Sequence, residues 1–323
     1  MRSLRLVVPL LIALLCVDVL LSWGRRVGWE RNTVRNSLAR HAERPTARVA
    51  QLGSSTSADW MQPDWLEKTL GRPPGDVLDA HINGCHQTCT WSEVRRFLKE
   101  GRHFELVTFG TNVFQQCEHR HSKRVLQDTL LMPISDVPAL FALYRHGSDP
   151  LGDMTRYLGM QLSGAYGDTS VFQRRWSYVL FGPTGDGDAW RWARRSEPPP
   201  TPVQTCDYAP ESIAFKTAAT QALFEDLARL ADRSVILLLP DATLADPSPE
   251  VAERWEKHRA LYRDLVAPHP TLTLLDLSAF TETEGAWRPE HFRDGVHTKD
   301  EGRVRQRALF ARLLKSTGLV PAK

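Results

Sequence analysis

Three short stretches hold residue types that can carry out acyl chemistry together. The first, Val49-Ala50-Gln51-Leu52-Gly53-Ser54-Ser55-Thr56-Ser57, runs from an apolar stretch into glycine and small hydroxyl residues. A sharp turn after a buried strand lifts a serine out of a sheet, and the backbone N–H groups of the helix that follows can face a developing oxyanion. The same residues also serve simply to cap a helix. The second stretch, Phe109-Gly110-Thr111-Asn112, ends in a side-chain amide with two donor hydrogens. The third, Asp294-Gly295-Val296-His297, sets a carboxylate three residues before an imidazole. One loop can then deliver a general base and the group that fixes its tautomer. A capping Asp beside an exposed His is the plainer account of that spacing.

These stretches need strands and helices to position them, and the chain supplies them in alternation. Apolar runs predict strands over Thr46–Leu52, Asp76–Ile82, Phe104–Phe109, Ser234–Leu239 and Leu272–Leu277. Helical spacing predicts helices over Thr56–Leu70, Trp91–Glu100, Glu211–Asp232, Val251–Val266 and Arg303–Leu314. Such alternation predicts an α/β three-layer sandwich around a central parallel five-stranded sheet, with the site beyond the carboxyl ends of the strands. Ser55, Gly84 and Asn112 follow directly on the first three strands and share that edge. Asp241 follows the fourth, either to contact substrate or to begin the next loop. His81 and His86, near the second strand, are expected to be structural or surface-exposed.

Between Val113 and Phe215 the pattern loosens, with Pro133, Pro138 and the run Glu197-Pro198-Pro199-Pro200-Thr201-Pro202. Residues about 113–210 are read as an insertion or lid within a domain spanning 46–323. Trp176, Trp190 and Trp192 there either stack on sugar rings or pack the lid. There is no internal repeat, Walker motif or Gly-x-Gly-x-x-Gly fingerprint.

The 323 residues are 42% hydrophobic and 24% charged, which is globular composition. A formal charge of +3 without basic stripes gives no case for nucleic acid as a partner. Residues 1–24 read as a membrane anchor: Leu6 to Trp23 is just long enough to span a bilayer, follows Arg2 and Arg5, and lacks an Ala-x-Ala cleavage pattern. Residues 25–45 read as a juxtamembrane helix or linker, basic at Arg25, Arg26, Arg31 and Arg35. That charge opposes an exported domain. The four cysteines outside the anchor, Cys85, Cys89, Cys117 and Cys206, favour one as disulfide candidates with three possible pairings. Zinc ligation by Cys85, His86, Cys89, Cys117, His119 and His121, or free thiols, are the alternatives. Cys85 and Cys117 follow soon after Gly84 and Asn112, where a disulfide would stiffen both loops.

Gly-x-Ser after the first strand, Gly after the second, Gly-x-Asn after the third and Asp-x-x-His before the last helix resemble, in that order, the blocks of the SGNH (GDSL-like) hydrolase superfamily. The resemblance covers about residues 46–112 and 230–315 and leaves out the insertion. It implies an SGNH/flavodoxin-like fold and no cofactor or metal. It also implies Ser55 as nucleophile, His297 as base and Asp294 as its orienting partner. The oxyanion hole would be the N–H groups of Ser55 and Gly84 with the Asn112 amide. Gly75 is an alternative to Gly84 but precedes its strand. Ser54 and Ser57 are rival hydroxyls, and the motif register selects Ser55.

Those hydrolases usually have Asp where Ser54 stands. Gly-Ser-Ser is more similar to a membrane-anchored envelope branch, which includes alginate O-acetylation and teichoic acid D-alanine-transfer proteins. That branch implies a serine acyl esterase or O-acyltransferase acting on a cell-envelope polysaccharide or related ester. It also implies a membrane-bound O-acyltransferase as partner. The location implied is the inner membrane, single-pass, with the catalytic domain on the periplasmic or extracellular side. The rival expectations are an inactive SGNH-like scaffold that binds a glycan or such a partner, and an intracellular zinc-binding membrane protein.

Overall fold

A computed structural model of the chain describes residues 12–13, 16, 29–85, 87–113, 136–147, 149–162, 210–245, 248–279 and 285–319. Five strands form one all-parallel sheet: β1 (Val49–Leu52), β2 (Val77–Asp79), β3 (Phe104–Thr111), β4 (Ala231–Leu238) and β5 (Leu272–Asp276), in the order β2-β1-β3-β4-β5. The order reverses between β1 and β3, and in doubly wound sheets a crevice opens at that point beyond the strand ends. The fold is therefore the predicted α/β three-layer sandwich.

Strand alternation sorts the core into two layers. Ala50, Leu52, Val107 and Phe109 face one side, against α4 (Gln87–Lys99), α7 (Pro210–Leu230) and α8 (Pro249–Val266). Val49, Leu106, Val235 and Leu237 face the other, against α3 (Pro63–Leu70) and α9 (Asp300–Ser316). Two helices from the segment read as an insertion, α5 (Val137–Tyr144) and α6 (Pro150–Leu162), send Leu140, Tyr144 and Tyr157 into the first layer, so this part is core rather than lid. Trp176, Trp190 and Trp192 lie outside the described residues, as do Cys117, Cys206, His86, His119 and His121.

The boundaries shift for local reasons. The helix expected over Thr56–Leu70 is two, α2 (Ser55–Ala58) and α3. Pro63 disfavours helical backbone at the residue before it, and Gln62 is extended at φ −80, ψ 144. β4 begins at Ala231 rather than Ser234, because Ala231 already pairs with Phe104. The closing helix begins at Asp300 rather than Arg303.

A helix, α1 (Trp29–Glu43), covers the exposed edge of β2. Arg40 donates to the carbonyls of Asp79 at 3.2 Å and His81 at 2.7 Å, and Arg44 donates to Val77 O. Unpaired edge carbonyls are thereby satisfied by guanidinium groups. His41 and Ser37 of α1 also bond each other and the buried Glu93 of α4. Of the anchor expected at 1–24, only Ile12, Ala13 and Cys16 are described. Among the described residues no helix is long and apolar enough to cross a membrane.

Two buried titratable groups set opposing acid responses. His258 of α8, packed between Trp255 and Tyr262, is pushed down to about 3 by burial and by the charge of Arg259. The stability it contributes is complete above the unfolded value of 6.5 and is lost as pH falls towards 3. Asp241 is pushed up to about 6 by burial, against hydrogen bonds from Thr243 and the charge of Arg254. Its contribution is complete below 3.8 and is lost as pH rises through 6. Each group changes stability by at most about 1.4 kcal/mol per pH unit. In the wild type the two slopes offset each other in mild acid. His258→Phe removes one of them, so its melting temperature relative to wild type is expected to rise between about pH 7.5 and about pH 5. A constant difference across that range would show that His258 does not resist protonation.

Candidate active site

Gly53 ends β1 at φ +131, a backbone conformation open to glycine, and turns the chain into α2. A Cβ there would lie 2.6 Å from Ser57 Oγ, and one on Gly110 of β3 would lie 2.3 Å from the same atom. The two glycines thus let α2 sit directly on β3, with Ser57 buried and donating to Gly110 O at 3.5 Å. Ser54 is also buried, its hydroxyl 2.9 Å from that of Thr56. Ser55 is only half-buried and stands in the first turn of α2, where backbone N–H groups have no intrahelical acceptor. Both rival hydroxyls are therefore taken up in packing.

The third stretch arrives from the far end of the chain. His291 O accepts from Lys299 N at 2.8 Å, and His297 O from Arg293 N at 2.8 Å, closing residues 291–299 into a narrow loop. Within it, Asp294 Oδ1 accepts from the backbone N–H groups of Val296 at 2.9 Å and His297 at 2.8 Å. Its two oxygens lie 3.0 and 2.9 Å from His297 Nδ1. With the proton on Nδ1, the opposite nitrogen is an acceptor. His297 Nε2 lies 2.9 Å from Ser55 Oγ, across 242 residues of sequence. Ser55, His297 and Asp294 thus lie in the geometry that a serine–histidine–aspartate triad requires.

The electrostatics suit the arrangement. Burial alone would raise Asp294, but the hydrogen bond and charge of His297, with the two backbone donors, hold it below the usual carboxylate value. That favours its ionised form, the form in which a carboxylate can orient and support a general-base imidazole.

Of the expected oxyanion donors, Asn112 follows β3 immediately and is fully buried. Gly84 lies in a turn closed by Cys85 N donating to Ile82 O at 2.9 Å, and takes φ +68. Ile82 N donates to Gly53 O at 3.0 Å, so this turn lies beside the one that carries Ser55. Gly75 precedes β2, at the opposite end of the strand.

Cys85 is bonded to Cys89, with a Cα–Cα distance of 5.4 Å. That corrects the suggested Cys85–Cys117 link: Cys89, in the first turn of α4, is already within bonding reach. It equally removes both cysteines from a zinc site. Among the described residues no group of three His, Cys, Asp or Glu side chains is placed to hold a metal.

His81 is buried with Nδ1 2.8 Å from Asp79 Oδ1 and does not join the triad. Burial alone would raise Asp79, but the hydrogen bond and charge of His81, with Arg40, bring it down to about 2. Asp241 caps its own turn, accepting from Thr243 N at 2.9 Å. The next residue supports the site, since Ala242 N donates to Gly295 O at 3.0 Å.

Sequence reasoning missed Gly302, which reads as an ordinary helix interior. A Cβ there would lie 2.3 Å from His291 O and 3.0 Å from Thr298 Cβ. The first turn of α9 therefore presses on the loop that carries Asp294 and His297. Alanine normally gains about 1 kcal/mol over glycine inside a helix. Here the overlap with backbone is expected to outweigh that gain. Gly302→Ala is expected to lose about 1–3 kcal/mol net and to lower turnover by up to about 10²-fold as the loop shifts. Melting curves and ester kinetics check this, and a raised melting temperature would contradict it.

No family model matches the chain, and no curated protein matches it. Among solved structures it is similar to a GDSL-like lipase from Bacteroides thetaiotaomicron, at 12% identity over 88% of this chain and 98% of that one, with a TM-score of 0.42. It is also similar to a Bacteroides fragilis protein described provisionally as an acylhydrolase, at 12% identity over 90% and 98%, with a TM-score of 0.43. Likenesses this distant carry no weight for the chemistry, which rests on the geometry above.

Proposed function

We propose that this chain is a serine ester hydrolase of the SGNH type, acting on an acyl ester of a cell-envelope polysaccharide or a related ester. The observation that carries the reading is the relay from Ser55 Oγ through His297 to Asp294, at 2.9 Å for each contact. In the reaction His297 Nε2 takes the Ser55 proton as Oγ attacks the ester carbonyl. The oxyanion of the tetrahedral intermediate lies among the N–H groups of Ser55 and Gly84 and the Asn112 amide. The intermediate collapses, the C–O bond to the alcohol breaks, and His297 returns its proton to the leaving oxygen. Water then attacks the acyl-serine with His297 as base, releasing acid and restoring Ser55. A sugar hydroxyl in place of water makes the same enzyme an O-acyltransferase.

The Cys85–Cys89 disulfide supports an oxidising compartment. With the apolar run Leu6–Trp23 it supports an inner-membrane protein facing the periplasm or cell exterior; a membrane-bound O-acyltransferase as partner follows from the resemblance to the envelope branch alone. The test is to incubate the full-length chain with p-nitrophenyl acetate and with O-acetylated polysaccharides, with and without free sugar acceptors. Release of acetate that requires both Ser55 and His297 is expected. Acetyl appearing on the acceptor assigns transfer. A folded chain that cleaves none of these esters contradicts the reading.

A further inference from the structure

Asp59 stands at the C-terminal end of α2, four residues after Ser55, and its N–H donates to Ser55 O at 3.0 Å. Its carboxylate lies between two guanidinium groups that bracket the triad loop. On one side is Arg293, the residue before Asp294. Arg293 Nη2 is 3.8 Å from Asp59 Oδ2, and its Nε is 3.9 Å from Asp294 Oδ2. On the other side is Arg303, in the first turn of α9. Arg303 Nη2 is 3.6 Å from Asp59 Oδ1, while its Nε donates at 3.4 Å to the carbonyl of Thr298, the residue after His297. The Asp59 carboxylate is 19% exposed, so solvent screens these charges only in part. One turn further along α9, Arg307 donates to Trp60 O at 2.7 Å. The segment carrying the nucleophile and the loop carrying the base are thus tied together at both ends of that loop.

We propose that Asp59 is a positioning residue, which holds the Asp294–His297 loop against the helix of the nucleophile and offsets the positive field of Arg293 and Arg303 at the triad. The inference rests on the triad reading. Asp59 is assigned no contact with substrate or the reacting atoms. It acts by keeping Ser55 Oγ and His297 Nε2 at bonding distance and by leaving Asp294 undivided in its attraction for the imidazolium. Charged groups near His297 among the described residues include Asp294, Arg293 and Lys299 on its own loop, Asp59 at the end of α2, and Arg303 and Asp300 from α9. Removing the anion disfavours imidazolium, and removing a cation favours it.

The experiment follows the rate of fluorophosphonate labelling of the full-length chain as a function of pH. Asp59→Asn is expected to slow labelling by about 10–100-fold and to move the acid limb of the profile to lower pH. Asp59→Glu is expected to restore the limb and part of the rate. Arg293→Gln, at a half-exposed side chain that tolerates change, is expected to move the limb the opposite way and supplies the test if Asp59→Asn does not fold. Slower labelling with an unmoved limb would overturn the proposal in favour of a purely structural role. An Asp59→Asn rate within about two-fold of wild type would overturn it as well. Failure of the folded wild type to label would instead remove the triad reading, and this one with it.

Discussion

Replacing Ser55 by alanine is expected to lower ester turnover by about 10⁴–10⁶-fold with the fold intact. Ser55 is half-buried and its hydroxyl is bonded to His297, so its removal costs the protein a single side-chain hydrogen bond. The melting temperature should therefore change by no more than a few degrees. His297→Ala is expected to cost a similar factor in turnover. The double variant should lose little more than either single one, because neither group works without the other. Ser54→Ala is the control, since that hydroxyl is buried and bonded to the hydroxyl of Thr56. Steady-state kinetics on an activated ester and circular dichroism give the answer. Near-normal turnover in Ser55→Ala would remove Ser55 as nucleophile.

Asn112→Ala is expected to lower turnover by about 10²–10³-fold, mostly in kcat. An oxyanion donor acts most strongly on the charge that develops on the carbonyl oxygen, so substrate binding is expected to change less than the transition state. Asn112 is fully buried at the end of β3, where the sheet order reverses. A donor held there needs no reorganisation when the oxyanion forms, which is why one hydrogen bond is worth so much. Asn112→Asp keeps the size of the side chain, removes the donor and adds an acceptor, and is expected to be at least as damaging. Near-normal turnover in Asn112→Ala would take Asn112 out of the site.

Much of this site was legible in the sequence because its parts sit at strand ends. The apolar runs placed β1 and β3 within a few residues, and strand ends in a parallel sheet share one edge. That brought Ser55 and Asn112 together without knowledge of any contact. Asp294 and His297 were legible as a pair through their spacing. Their distance from Ser55 was not, because it depends on how α9 lies against the loop. Gly302 sets that approach, yet in sequence it is only a glycine in a helix. The arginines were equally opaque. Arg293, Arg303 and Arg307 stand in no motif, and their partners Asp59 and Trp60 are far away in sequence. The break at Pro63 follows from the proline alone, although the apolar spacing runs on across it. The Cys85–Cys89 bond was one of several pairings that spacing alone cannot choose between.

The most direct measurement is to treat the full-length chain with a fluorophosphonate and locate the adduct by peptide mass mapping, in the wild type and in His297→Ala. An activated serine is expected to give one adduct, on Ser55, that is lost or greatly slowed without His297. A folded wild type with no adduct, or with its adduct on another serine, would contradict the triad.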